Sequence, residues 1–213
     1  MDPSAITQST QPNLQAPIHE EGSTNIPSRL ILAWQEQLWS WLDAGALEAA
    51  IQKALRLDNR RPELHTWLEE GKACSFGNLP KLELLDPQLL PQAKAAYVAS
   101  KEIILVNRTW LKESTLTDAI SVFTEEWGHH LDTIFNTTDT AGDEGQLLAT
   151  LLARMPAPSD LEAQILAEDD HTLIAIGEER LEAELSSFQG GSGDEILNGG
   201  PGDDVINPGL GKD

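Results

Sequence analysis

A single cysteine, Cys74, in 213 residues rules out an internal disulfide, so the chain suits either a reduced compartment or an exported protein stabilised by other means. Basic residues are scarce too: 14 Lys and Arg stand against 35 Asp and Glu, a formal net charge of −21. Nucleic acid would be repelled by that balance. The same excess repels itself and is relieved by salt, cations or cationic partners, which directs attention to calcium; solubility alone also accounts for it. No run approaches the roughly 18 apolar residues that a membrane span needs. The N-terminus, MDPSAITQSTQPNLQAPIHEEGS, has neither the basic nor the apolar region of a cleaved signal, so classical signal-peptide export is not expected. Aromatic residues make up only 5% of the chain, but six of them are tryptophan and hydrophobic residues reach 40%, enough for a packed core.

Composition divides the chain into four regions. Residues 1–26, rich in Ser, Thr, Gln, Pro and Asn without apolar period, read as a disordered lead. Residues 27–75 read as a helical subdomain. Leu30, Ala33, Trp34, Leu38, Trp41 and Leu42 recur at helical spacing, Gly45 interrupts, and Leu47, Ile51, Ala54 and Leu55 resume, which predicts a helical hairpin. A third helix is expected over 61–71, with Pro62 in its first turn and Leu64, Trp67 and Leu68 as its buried stripe. The tryptophans fit a core better than a ligand box. The Pro- and Leu-punctuated segment 79–91 reads as an extended connection, and AYVASKEIILVN (96–107) as a β-hairpin. The region 76–185 then holds the strongest helix, 117–135, whose stripe is Ile120, Phe123, Trp127, Leu131 and Ile134. Farther on, a helix should end near 168–170, with a short strand at 173–176 and a turn at Gly177. His171 either joins an acidic cation site or is a plain exposed loop histidine.

The helix 117–135 carries FTEEWGHHLD. At about 100° per residue, Glu125, His129 and Asp132 share an arc of roughly 60° opposite the apolar stripe, with Glu126 on the flank. His130 lies nearer the apolar side and reads as a packed, hydrogen-bonded histidine. An amphipathic helix always has a polar face, and Glu four residues before His is also an ordinary helix-stabilising pair. Against that plain reading stands the register: EEWGH (125–129) matches the zinc-peptidase helix HExxH everywhere but its first position. In that motif positions one and five point at the metal and the second residue reaches the metal-bound water. Glutamate for histidine keeps a ligand but moves preference from zinc toward manganese, calcium or magnesium. In NTTDTAGDEGQLLATLLA the candidates for a third ligand are Asp143 and Glu144, which equally suit a helix cap and a favourable interaction with the helix dipole. Asp132 has an alternative use as the carboxylate orienting His129. A strand, a connector and a metal helix follow one another as in zinc peptidases, where a strand edge holds the substrate backbone.

The last region, 186–213, contains GGSGDEILN (190–198) and GGPGDDVIN (199–207), two consecutive copies of the nonapeptide GGxGxDxUx of calcium-binding β-rolls. The ligand-bearing turns would be Gly191, Gly193 and Glu195, then Gly200, Gly202 and Asp204, with Asp213 ending a partial third copy. Leu197 and Ile206 would point inward. Glu195 stands where the repeat has aspartate, and fewer than three full copies stack poorly alone. A flexible Gly/Asp-rich linker is the alternative.

On AYVASKEIILVNRTWL, FTEEWGHHLD and NTTDTAGDEG, the chain resembles, over roughly residues 30–184, the metallopeptidase-like domain of hemolysin-type (RTX) calcium-binding proteins common in cyanobacteria. The resemblance implies a mainly helical, zincin-like α+β domain with a short β-hairpin and a rudimentary C-terminal β-roll tail. Glu125, Glu126, His129, Asp132, Asp143 and Glu144 are the matching motif positions. Family and residues together predict a secreted or cell-surface peptidase-like protein exported by a type I machinery. Glu125, His129 and Glu144 would hold Zn2+ or another divalent transition metal, Glu126 would be the general base, Ca2+ would bind the tail, and a peptide or protein would be the substrate. The alternative is a non-catalytic extracellular calcium-binding module.

Overall fold

The computed structural model describes residues 26–58, 61–74, 76, 79–91, 93–153, 161–168 and 170–187. The expected lead (1–25 of it) and the two calcium repeats lie outside the described residues. Helices α1 (Ile26–Asp43) and α2 (Ala46–Ala54) form the expected hairpin. The break falls at Gly45, whose φ of 68° is the left-handed conformation that glycine adopts without steric penalty. Helix α3 (Pro62–Cys74) follows, with Pro62 as its first residue.

The sheet has five strands. Strand β1 (Lys81–Leu85) arises inside the segment expected to be only an extended connection. Strands β2 (Ala93–Val98) and β3 (Ile103–Asn107) form the expected hairpin around a 3₁₀ turn at Ala99–Lys101. A short helix, α4 (Arg108–Glu113), is capped by Asn107, whose side chain accepts from the N–H of Thr109 and Trp110. It leads into α5 (Leu116–Phe135), capped by Thr115. Then come α6 (Glu144–Leu152), α7 (Leu161–Ile165), β4 (His171–Ile176) and β5 (Glu179–Ser187). The strand order is β1-β3-β2-β5-β4, and only β1 and β3 run parallel among the pairings.

That order corrects one expectation. The EIILVN strand was to offer a free edge to a substrate, but β3 is paired on both sides, by β1 and β2. Its residues, apolar without a break from Ile103 to Val106, are all buried, as an interior strand requires. Among the described residues, β1 and β4 are the edge strands. Strand β5 had no strand signature because ERLEAEL is built from residues of high helix propensity; pairing with both β2 and β4 overrides it.

Each face of the sheet has its own core. Ala95, Tyr97, Ile104 and Val106 pack with the helices, whereas Ala93, Ala96, Val98, Ile103 and Leu105 join Leu90, Ile174 and Ala183 on the other side. Ala93 and Ala95 face opposite ways despite being two apart, because a bulge between them shifts the register against β5. The helical core centres on Trp34, which is fully buried and stands edge-on to both Phe123 and Trp127 of α5 at 5.1 and 5.0 Å. Its Nε1–H donates to Thr124 Oγ1 at 3.1 Å. The tryptophans therefore build core, as expected. Ile134 of the expected stripe is 46% exposed, and Phe135 packs against the core and Trp67 instead. No helix among the described residues is long and apolar enough to cross a membrane.

Candidate metal centre

The supposed polar face of α5 is not wet. Glu125, Glu126, His129 and Asp132 are buried, at 8, 0, 0 and 3% exposure, so the plain amphipathic reading fails for this stretch. The helix is covered on that side by α6 and β5. Close approach of α6 depends on two facing glycines: a Cβ on Gly128 would stand 2.6 Å from Gly145 Cα, and one on Gly145 would stand 2.5 Å from both Glu125 O and His129 Nε2. Those separations are far inside van der Waals contact, so only glycine fits.

His129 is the centre of the arrangement. Its Nδ1 lies 2.9 Å from Glu144 Oε1 and 2.7 Å from Glu184 Oε2. Its Nε2 lies 3.3 Å from Asp170 Oδ2 and 3.8 Å from Asp143 Oδ1. Ligand-type atoms thus form one group of His129, Glu144 and Glu184 and another of His129, Asp143 and Asp170. Glu125 belongs to neither group. Among the described residues, Nε2 and Asp170 Oδ2 have no hydrogen-bond partner although both are buried. Even a protonated ring offers one positive charge to four carboxylates, so keeping all four ionised without a further cation would be costly in a low-dielectric interior.

The titration of these groups follows. Burial pushes Glu125 up and Glu126 well above the usual carboxylate range, and Asp143 up to about 9. Burial raises Glu144 and Asp170 as well, against the attraction of His129. For Glu184 burial is outweighed by its hydrogen bond with His129, and its pKa falls. For His129 burial opposes the charged ring, but the hydrogen bonds to Glu144 and Glu184 prevail and raise it well above 6.5. A divalent cation among these groups would favour every ionised carboxylate and reverse the upward shifts.

The other expected site residues fall as follows. Asp143 caps α6, accepting from Gln146 N at 2.6 Å, and its Oδ1 also lies 3.8 Å from Nε2. Glu144, on the first turn of α6, faces Nδ1. Asp132 does not orient His129. It accepts from Thr140 N and Oγ1 at 3.1 and 2.7 Å and from Asn136 Nδ2 at 2.7 Å, which folds the 136–140 turn, and it lies near Asp139 and Glu144 in a further acidic group. Glu126 Oε1 accepts from Ser186 N of β5 at 3.2 Å, and Oε2 has no partner. His130 is packed as expected, with Tyr97 Oη 2.9 Å from its Nδ1. His171 begins β4, with its side chain half exposed and 3.9 Å from Asp139.

Sequence reasoning missed Asp170 and Glu184. Asp170 ends an acidic run that the sequence offers as a cation site with His171, and nothing in it points to His129. Glu184 was hidden in ERLEAEL, where no strand was expected. Beside the centre, a cleft of about 320 Å³ is lined by Asp132, Asp139, His171, Glu182 and Glu184 among others. No family model, no curated protein and no solved structure matches this chain.

Proposed function

We propose that this chain is an extracellular, metal-dependent peptidase-like hydrolase of zincin-like architecture, carrying a rudimentary calcium-binding repeat tail. The observation that carries the reading is His129: fully buried on the EExxH helix, it has carboxylates at both ring nitrogens and one nitrogen without a partner. The residues fit a divalent ion, because an orphaned imidazole nitrogen amid buried carboxylates is what such an ion satisfies. When bound, it supplies a Lewis acid and a water of lowered pKa.

The chain's own part is proton handling and placement. Glu126 occupies the general-base position, its Oε1 held by the Ser186 N–H and its Oε2 unpartnered. Once ionised, Glu126 would take the proton of an attacking water at Oε2 and return it to the leaving amine. The 320 Å³ cleft lies beside Glu184, which touches His129, and its carboxylates favour a basic segment of peptide.

The complete burial of Glu126 and His129 favours a second reading, a non-catalytic module in which the ion is structural, since catalytic sites keep an open position. Glu126→Gln separates the two. The hydrolase reading requires wild type to cleave an unstructured protein and the variant to lose about 10²-fold or more in rate with its metal content unchanged. No cleavage by metal-loaded wild type of any member of a broad peptide library would leave the binding module.

A further inference from the structure

We infer that the ion of this centre is carried on the Nε2 face of His129, by His129, Asp143 and Asp170, while Glu144 and Glu184 orient the ring from the other nitrogen. The inference rests on the reading of His129 as a ligand and deepens it in two ways. It selects a face, and it replaces Glu144 by Asp170, which no sequence motif marks.

The two sides of the imidazole differ in distance. On the Nδ1 side, 2.9 Å to Glu144 and 2.7 Å to Glu184 are hydrogen-bond lengths for a charge-assisted N–H donor. Carboxylates only accept, so the ring hydrogen belongs on Nδ1, shared between them. When the ring carries that hydrogen alone, as a metal ligand must, Nε2 is left with a lone pair. It faces Asp170 Oδ2 at 3.3 Å and Asp143 Oδ1 at 3.8 Å without a hydrogen bond. With both carboxylates ionised, these buried acceptor atoms repel unless a proton or a metal cation stands among them.

Their spacing suits that cation. Donor atoms bound at about 2.0–2.2 Å to one tetrahedral ion lie roughly 3.3–3.6 Å apart. The Nε2 side meets that spacing or slightly exceeds it, whereas the 2.7 and 2.9 Å separations on the Nδ1 side are too short for two ligands of one ion. Gly145 leaves the space beside Nε2 clear, since a Cβ there would come within 2.5 Å of it. A carboxylate orienting a ligating histidine through its other N–H is the usual supporting arrangement at such sites. The donor set of one imidazole and two carboxylates suits zinc or manganese better than a soft metal. It also draws on three elements, α5, the cap of α6 and the head of β4, so the ion would clamp them together.

The test uses the full chain, stripped with chelator and titrated with Zn2+ and with Mn2+. Long-range 1H–15N NMR of the zinc form should show His129 coordinated through Nε2 with its proton on Nδ1. Losing an orienting carboxylate costs about 10–100-fold in affinity; Glu144→Gln and Glu184→Gln should fall in that range, and Asp170→Asn and Asp143→Asn should lose more. Asn still caps a helix, so Asp143→Asn keeps α6, and circular dichroism of each metal-free variant separates lost ligation from lost fold. Coordination through Nδ1, or a larger loss in the glutamate variants than in Asp170→Asn, overturns the assignment while leaving the metal reading intact. A folded wild type that binds neither ion overturns both.

Discussion

His129 Nδ1 of α5 stands 2.7 Å from Glu184 Oε2 of β5, so the strand that no sequence pattern announced supplies a carboxylate to the helix that carried the clearest motif. With Ser186 N bound to Glu126 Oε1 at 3.2 Å, β5 grips both the candidate ligand and the candidate base.

Metal content should follow His129. His129→Ala is expected to abolish close to one equivalent of tightly bound transition metal and to leave any calcium of the repeat tail in place. Elemental analysis of the purified proteins measures this. Equal transition-metal content in wild type and variant would remove His129 from the centre.

Gly145→Ala should destabilise the fold and weaken metal binding together. The new Cβ would stand 2.5 Å from Glu125 O and His129 Nε2, and overpacking a fixed helix contact costs about 1–3 kcal/mol. Thermal melting with and without zinc measures both effects. A variant as stable and as tightly binding as wild type would show that α5 and α6 lie farther apart than described.

Without metal, stability should fall as pH rises. Glu125, Glu126, Asp143, Glu144 and Asp170 have raised pKa values through burial. Each therefore contributes stability that is complete below its unfolded value and is lost as pH climbs through the folded one, about 9 for Asp143. His129, also raised, loses its contribution in the same direction above 6.5. Glu184 is lowered and acts oppositely, but only below 4.5. From about pH 5 to about pH 9 the chelator-treated protein should melt at progressively lower temperature, and bound zinc should flatten the slope. A metal-free melting temperature that rises across that interval contradicts the buried carboxylate cluster.

The repeat tail should bind calcium weakly, on the order of 10⁻⁴ to 10⁻³ M, as extracellular modules do. Two full nonamers form at most one or two sites, and Glu195 loosens the first. Circular dichroism of a peptide spanning residues 185–213 should gain β signal only at millimolar calcium and lose that gain in Asp204→Ala. A tail ordered in chelator, or silent at ten times that calcium, is a linker.

Local events are legible along the chain, because they depend on near neighbours. The α1–α2 hairpin breaks at Gly45, Pro62 starts α3, the β2–β3 hairpin turns at residues 99–101, and α5 follows a 3.6-residue period. EExxH placed Glu125, Glu126 and His129 on that helix, and Asp143 and Glu144 at the start of the next. Long-range packing, in contrast, sets which face of α5 is covered. It buries both the apolar stripe and the carboxylates opposite it, and periodicity cannot tell a polar face in water from one packed against α6 and β5. It also decided the partners of His129. Asp170 and Glu184 arrive from a β-hairpin whose second strand has helix-forming composition, and long-range pairing with β2, invisible in local propensity, turns that strand's Glu184 toward the imidazole.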